Sequence, residues 1–346
     1  MATIKDVALH AQVSVTTVSH VINDTRFVSE DARRRVLSAI DALRYVPSAV
    51  ARSLKNNRTH TVGMMIPNSS NPYFAEIIRG IEDTCFDAGF NVILCNSDDD
   101  PLKQGRYIRV LMEKQVDGLI VLSSGGDDEL GSHLREAADM PQVLVDREVE
   151  HLDADLVEVN HEAGGWLATR HLLELGHRRI ACITGPLVLS SARQRLDGYR
   201  RALRESGLAP DPALEVAGDF TSERGHATMQ RLLQAPHRPS AVFASNDLMA
   251  IGALCAVAST GQRVPDDLSI VGFDDIALAA FTSPPLTTVA QPKHRLGALA
   301  AGMLLDRIAN PERGHRREIL QPQLEVRAST APPRSDATVG VDPQTP

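Results

Sequence analysis

The sequence predicts two kinds of structure in one chain: a small all-α module at the N-terminus and a larger α/β body built on parallel sheets. Three observations carry this. Residues 1–46 hold short amphipathic segments with apolar positions three to four apart. From residue 61 onward, short apolar runs alternate with helical stretches. Charge divides at the same place: residues 1–60 hold nine Lys/Arg and five Asp/Glu, a net of +4, whereas the rest holds 27 against 39, a net of −12, in a chain of 346 residues and −8 overall. A cationic module on an anionic body can meet phosphate while the body avoids it.

In the N-terminal module Thr3-Ile4-Lys5-Asp6-Val7-Ala8 leads into one helical stretch. Gln12-Val13-Ser14 breaks it. Val15-Thr16-Thr17-Val18-Ser19-His20-Val21-Ile22-Asn23 forms the next. Ile4, Val7, Ala8, Val18, Val21 and Ile22 can share one core, and Ser14 suits the N-cap of the second helix. Val15, Thr16, Thr17 and His20 then point outward at its start. A helix-turn-helix presents that end of its second helix to base edges in the major groove. Arg33-Arg34-Arg35 reads largely as a solvated helix face.

The string from Met1 to Asn23, followed by Pro47-Ser48-Ala49-Val50-Ala51-Arg52-Ser53-Leu54-Lys55, resembles the LacI/GalR family of bacterial repressors. The resemblance runs from residue 2 to about residue 330. It implies a helix-turn-helix headpiece over 1–46, a hinge helix and linker over 47–60, and a two-lobed periplasmic-binding-protein-like core over 61–330 that binds ligand and dimerises. Lobe one would hold about 61–159 and 292–322, and lobe two about 160–291. The chain would cross between lobes near Val159-Asn160, Gln291-Pro292 and Gln321–Gln323. The DNA-facing set it implies is Thr3, Val15, Thr16, Thr17, His20, Asn23, Arg26, Ser48, Arg52, Leu54 and Lys55. Residues 331–346, rich in Pro, Thr and Asp, read as a disordered tail.

In the body, Val62–Ile66, Asn91–Cys95, Gly118–Leu122, Gln142–Val145, Arg179–Ile183, Ala241–Ala244 and Ser269–Phe273 read as strands, with helices over about Tyr73–Ala88 and Lys103–Lys114. Parallel sheets of this kind bind ligand at the carboxyl ends of their strands. Asn71, Tyr73 and Phe74 follow the first strand, and Asp146 and Arg147 the fourth. Ser191, Arg195 and Phe220 follow the fifth. Asn246, Phe273, Asp274 and Gln291 end or follow later ones. Asp247 reads as a helix cap, as does Asp275, and Tyr73 serves packing equally well.

Carboxylates and amides can bond vicinal hydroxyls, Arg147 and Arg195 supply forks of donors, and Phe74, Phe220 and Phe273 offer flat faces for a ring. Asn71, Phe74, Asp146, Arg147, Arg195, Asn246, Asp274 and Gln291 resemble the pocket of ribose-binding proteins, although Leu122 stands where those carry an Asn. The headpiece and Tyr73–Ile78 resemble instead the purine-responsive branch of the family. That branch carries an Arg at the position of Leu189. The favoured expectation is a repressor that ribose or a related pentose releases from a palindromic operator. The alternatives are a purine nucleobase acting as corepressor and a sugar-binding protein without DNA function.

Enzyme chemistry finds no support. His161-Glu162-Ala163-Gly164-Gly165 lacks the second His of a zinc site, no phosphate loop or nucleophile elbow appears, and Asp98-Asp99-Asp100 reads as a solvated loop. No cofactor or metal is expected. Cys85, Cys95, Cys182 and Cys255 form no C-x-x-C pair and read as free thiols, most of them buried. The polar start and the absence of any ~20-residue apolar run point to a cytoplasmic protein with no membrane partner, and the few base pairs that one headpiece reads point to a homodimer on its operator.

Ser48–Asn56 is short enough to be marginal as a free helix. The resemblance implies that paired Leu54 side chains wedge into the minor groove and kink the operator. Leu54→Ala is therefore expected to bend operator DNA less, as read by the mobility of circularly permuted operator fragments; unchanged bending sets that role aside.

Overall fold

The computed structural model describes residues 2–46, 58–122, 127–146, 149 and 152–334. The Ser48–Asn56 segment and with it Ser48, Arg52, Leu54 and Lys55 lie outside the described residues, as do Arg147 and residues 335–346. The chain divides into two units, residues 1–61 and 62–346.

The first unit is three helices, α1 (Ile4–Ala11), α2 (Val15–Asn23) and α3 (Glu30–Ala42). Thr3 and Asp6 form a capping box on α1, and Ser14 caps α2 by accepting the Thr17 N–H. Gln12 ends α1 in the left-handed region at φ 54°, which makes the tight turn. Val7, Ala8, Ala11, Val18, Val21, Val36 and Ala39 close a small core, with Ile4 and Ile22 half-buried against it. Arg33 pairs with Asp24, and Arg34 and Arg35 with Asp31. All three arginines of the run are thus held against local carboxylates.

The second unit carries two six-stranded sheets. Sheet one contains β1 (Thr61–Ile66), β2 (Asn91–Asn96), β3 (Gly118–Leu122), β4 (Gln142–Val145), β5 (Asp155–Val159) and β11 (Arg317–Leu320). Its order is β11-β5-β4-β3-β1-β2. Sheet two contains β6 (Ile180–Thr184), β7 (Glu215–Ala217), β8 (Ala241–Ala244), β9 (Ser269–Asp274), β10 (Thr287–Ala290) and β12 (Gln323–Glu325). Its order is β12-β10-β9-β8-β6-β7, with β12 antiparallel to β10. The central strands β3, β4, β6 and β8 are buried along their whole length, which is why they read as unbroken apolar runs. Sequence β5 leads into sheet two, β10 back to sheet one and β11 out again to β12, so the chain crosses at 160, 291–292 and 321–322.

Helices α4 (Pro72–Asp87), α5 (Pro101–Glu113), α6 (Asp127–Glu136) and α11 (Lys293–Ala309) belong with sheet one. Helices α7 (His161–Glu174), α8 (Ser190–Glu205), α9 (Ser222–Gln234) and α10 (Asp247–Ser259) belong with sheet two. Three helix pairs touch backbone to backbone through reciprocal glycines. A Cβ on Gly80 of α4 would lie 2.1 Å from the His294 carbonyl oxygen, and one on Gly297 of α11 2.1 Å from that of Ile77. Gly165 of α7 and Gly198 of α8 face the carbonyls of Arg195 and Glu162 at 2.0 and 2.1 Å in the same sense. Gly225 of α9 and Gly252 of α10 repeat the arrangement against Met249 and Ser222. Buried Arg307 of α11 makes a two-pronged ion pair with buried Asp155 of β5, at 2.8 and 3.0 Å, which fastens α11 to sheet one.

Several expectations are corrected here. Asp247 is not the cap of α10: Asn246 is, accepting the Met249 N–H, while Asp247 is fully buried and accepts from the Ile276 N–H and the Thr288 hydroxyl. Asp275 caps nothing and instead pairs with Arg327 at 2.6 Å. The tail does not begin at Ala331, whose N–H and carbonyl are both bonded to the Ser269 hydroxyl; buried His177 reaches the same carbonyl. Cys255 is exposed, unlike the other three cysteines. Among the described residues no helix is long and apolar enough to cross a membrane.

Gly198→Ala forces a Cβ into a carbonyl that cannot rotate away. It is expected to cost about 1–3 kcal/mol, lowering Tm by roughly 2–4 °C per kcal/mol. Gly302→Ala on α11, where a Cβ would meet nothing, is the control and should be neutral or stabilising. Equal melting of parent and Gly198→Ala would contradict the close approach.

Candidate functional site: a DNA-reading helix and a polar cleft

At the start of α2, Val15 and Thr16 are exposed and Thr17 and His20 half-exposed. The Thr17 hydroxyl is 2.8 Å from the Ser14 hydroxyl, and His20 Nδ1 is 2.8 Å from the Thr25 hydroxyl, which fixes the ring and leaves Nε2 for an outside partner. Asn23 turns its amide nitrogen back to the Ser19 carbonyl at 2.8 Å, and Thr3 is engaged in its capping box. Arg26 is exposed. The face that remains open is therefore Val15, Thr16 and His20, with Thr17 beside them: an apolar contact, hydroxyls and a ring nitrogen, the groups that read base edges.

Within the second unit a cavity of about 810 Å³ opens between the carboxyl ends of the two sheets. It sits where strand order reverses in each, between β1 and β3 and between β6 and β8, as the topology of open α/β sheets requires. Asn71, Tyr73, Phe74, Asp146, Ser191, Arg195, Phe220, Asn246 and Asp274 line it. Phe273 and Gln291 do not. Phe273 is fully buried in the second-lobe core, and the Arg195 guanidinium lies over its ring at 3.9 Å. It supports the arginine rather than offering a face to a ligand. Gln291 lies behind Asp274, donating to its Oδ1 at 2.7 Å and accepting from Tyr73 at 3.3 Å. Asn246 lines the cavity, yet its oxygen caps α10 and its nitrogen donates to the Phe220 carbonyl.

The floor is a closed ring of polar groups. Tyr73 donates to Asp146 Oδ2 at 2.7 Å, and the Val159 N–H donates to Asp146 Oδ1 at 2.9 Å. His161 Nε2 is 3.3 Å from the same oxygen, and Arg195 Nε donates to His161 Nδ1 at 3.4 Å. Arg195 Nη1 lies 3.5 Å from Asp274 and donates to the Ser245 carbonyl; Gln291 closes the circuit to Tyr73. His161 was missed by the sequence reading, which weighed it only against a zinc motif. It is buried, first residue of α7, and placed where the chain crosses between lobes.

Charge in the ring is set by burial and neighbours. Burial works against ionisation of Asp146, but His161, Tyr73 and the Val159 N–H outweigh it and hold its carboxyl below the ordinary range. Burial raises Asp274 to about 6, against the opposing pull of Arg195, Gln291 and Lys293. Burial also pushes Tyr73 far up, helped by Asp146 and Asp274, so its hydroxyl remains a donor. Four cavity residues that are not glycine adopt positive φ: Asp99 at 54°, Asp146 at 55°, Phe220 at 67° and Asp274 at 108°. Such conformations cost of order 1–3 kcal/mol each and cluster at functional sites. Phe220 fits only because Gly185 lacks a Cβ, which would lie 2.1 Å from the ring.

Residues 3–48 match the model of the bacterial regulatory proteins of the lacI family, and residues 169–330 that of the periplasmic binding protein-like domain. The ribose operon repressor of Escherichia coli K12 is 46% identical over 329 residues, 95% of this chain and 100% of that protein. The chain belongs to the LacI family. The HTH-type transcriptional repressor PurR of Aliivibrio salmonicida is 45% identical over 326 residues, 94% of this chain and 97% of that one. A LacI family transcriptional regulator from Enterococcus faecium, solved with bound ribose, superposes with a TM-score of 0.71 at 32% identity, covering 79% of this chain and 100% of that one. This LacI-family protein is a DNA-binding repressor with a ligand-binding core, and its relatives are repressors rather than enzymes.

The raised pKa of Asp274 has a definite sign for stability. A carboxyl whose folded value lies above its unfolded value of 3.8 costs stability at neutral pH. That cost is relieved as pH falls from about 6 towards 4. In denaturant titrations the ligand-free protein should therefore gain on this group's account between pH 7 and pH 5, and Asp274→Asn should lack that gain. Identical pH dependence in the two proteins would show that Asp274 ionises normally.

Proposed function

We propose that the protein is an operator-binding repressor whose DNA affinity is lowered when ribose or a related pentose enters the cleft. The observation that carries this is the floor ring. Asp146 from one lobe and Arg195 and Asp274 from the other present a carboxylate, a guanidinium and a second carboxylate to one buried volume. Vicinal hydroxyls donate and accept at once, so they match such a set, and a ligand without them leaves charged groups unpaired at high cost. Phe74 and Phe220 supply the flat apolar faces. The ribose complex of the Enterococcus faecium relative agrees with this ligand class.

The DNA side of the proposal rests on Val15, Thr16, Thr17 and His20 entering the major groove, with Arg26 positioning the backbone. A homodimer on a palindromic operator follows from the few base pairs that one headpiece can read. Induction requires the pentose to bind the two lobe arrangements unequally. The second reading, a purine nucleobase as corepressor, draws on the similarity to PurR. It is disfavoured by Leu189, which gives the mouth of the cavity an aliphatic side chain where the purine-responsive branch carries an arginine.

Calorimetric titration with ribose, ribose phosphate, hypoxanthine and guanine, followed by operator gel shift with each binder, tests both readings. Ribose should bind and release operator. Asp274→Asn should weaken ribose by roughly ten- to a hundredfold, from loss of charge-assisted hydrogen bonds worth about 1.5–3 kcal/mol, while operator binding is retained. Tight binding of a purine with no response to a pentose would overturn the effector, and ribose that tightened operator binding would overturn the sign.

A further inference from the structure

We infer that His161 is a positioning residue for the effector site: a neutral imidazole, fixed in one tautomer, that ties Asp146 of the first lobe to Arg195 of the second. This rests on the reading of the cleft as the effector site. A guanidinium can only donate, so Arg195 Nε, at 3.4 Å, requires Nδ1 of His161 to be unprotonated. The ring's single proton is then on Nε2, which points at Asp146 Oδ1 at 3.3 Å. One imidazole thus accepts from the cation and donates to the anion. A protonated ring would turn an N–H against the Arg195 N–H and lose the first of these bonds.

The surroundings enforce the neutral form. His161 is 2% exposed, and its ring lies 6.1 Å from that of Phe273, on which Arg195 is also stacked. The charged groups acting on it are Asp146 after β4, Glu158 of β5 and Arg195 of α8, with Tyr73 of α4 bonded to Asp146 and Asp274 at the end of β9 paired with Arg195. Burial, aided by Arg195, depresses the imidazole pKa despite Asp146 and Glu158. The backbone supports the placement too. Asn160 caps α7 by accepting the Ala163 N–H, so His161 is the first helical residue after the crossover.

The tie matters because Asp146 and Arg195 have few other ways to hold their orientation across the cleft. Asp146 is held from its own lobe by Tyr73 and Val159, and Arg195 from its own by the Ser245 carbonyl and Asp274. His161 is the side chain that bonds both. Effector hydroxyls that engage the pair then meet a preset separation, and that preorganisation appears as affinity.

The test uses the full chain with nitrogen-15-labelled histidine. His161, assigned by comparison with His161→Gln, should give the neutral Nε2–H pattern from pH 8 to pH 6.5. Ribose affinity in His161→Leu should fall at least tenfold at pH 7.5, with operator binding retained and Tm lowered, because Leu leaves the Arg195 Nε–H unpaired. His161→Gln, which keeps a donor and an acceptor, should recover to within a few-fold of the parent. Below pH 6 the parent should lose affinity more steeply than His161→Gln, whose remaining pH dependence reports Asp274. An Nδ1–H tautomer, an ordinary titration midpoint, or parent-like ribose binding by His161→Leu would each overturn the inference. A parent that binds no ribose strikes the pentose reading alone, and the tautomer then decides about His161.

Discussion

The buried guanidinium of Arg195 is the charge around which the core is arranged. A cation taken out of water must be paired and fully bonded or the site cannot exist. Its needs account for much of what surrounds it: Asp274 at 3.5 Å, the Ser245 carbonyl, the unprotonated face of His161, and Phe273 beneath it at 3.9 Å. Each of these comes from the end of a strand or the start of a helix, where the topology directs side chains into the cleft. The two carboxylates that balance it are in turn held by Tyr73 and Gln291, which belong to other elements. Charge balance therefore spans both lobes, and the cleft is polar before any ligand arrives.

Much of the architecture is legible in the sequence because its causes are local. Ser14 caps α2 through a hydroxyl that competes well for a free N–H. Val62–Ile66 reads as a buried strand because parallel sheets exclude water from both faces. What escaped was decided by distance along the chain. Strand β11 exposes three of its four residues at a sheet edge and so carries no apolar run, and β7 is only three residues long. His161 looks ordinary because its partners lie 15 and 34 residues away. Asp247 seemed a cap because any Asp at a helix start can be one; its burial against Thr288, 41 residues on, is a tertiary fact.

The site also stores strain. Asp146, Phe220 and Asp274 hold left-handed or neighbouring backbone conformations that only the surrounding fold can impose. For the two aspartates the positive φ carries the carboxylate out of the strand line and into the cavity. For Phe220 it brings the ring beside Arg195, 5.7 Å from the guanidinium. The energy for this comes from the well-packed sheets on either side. Burial and hydrogen bonding in the strands thus support groups that would not hold their places alone.

The glycine-to-glycine helix contacts have a mechanical meaning. Where two helices touch through bare backbone there is no side-chain layer to rearrange, so α4 with α11, α7 with α8 and α9 with α10 move as single pieces. Each lobe is then stiff inside, and compliance is left to the segments at 160, 291–292 and 321–322. Gln291 lies in one of these, and His161 opens the helix just beyond another. A small molecule seated between stiff bodies changes an angle between them rather than a shape within either. Substitutions at the helix contacts and at the crossovers should accordingly produce different defects: loss of folded protein from the former, and a folded repressor with an altered set-point from the latter.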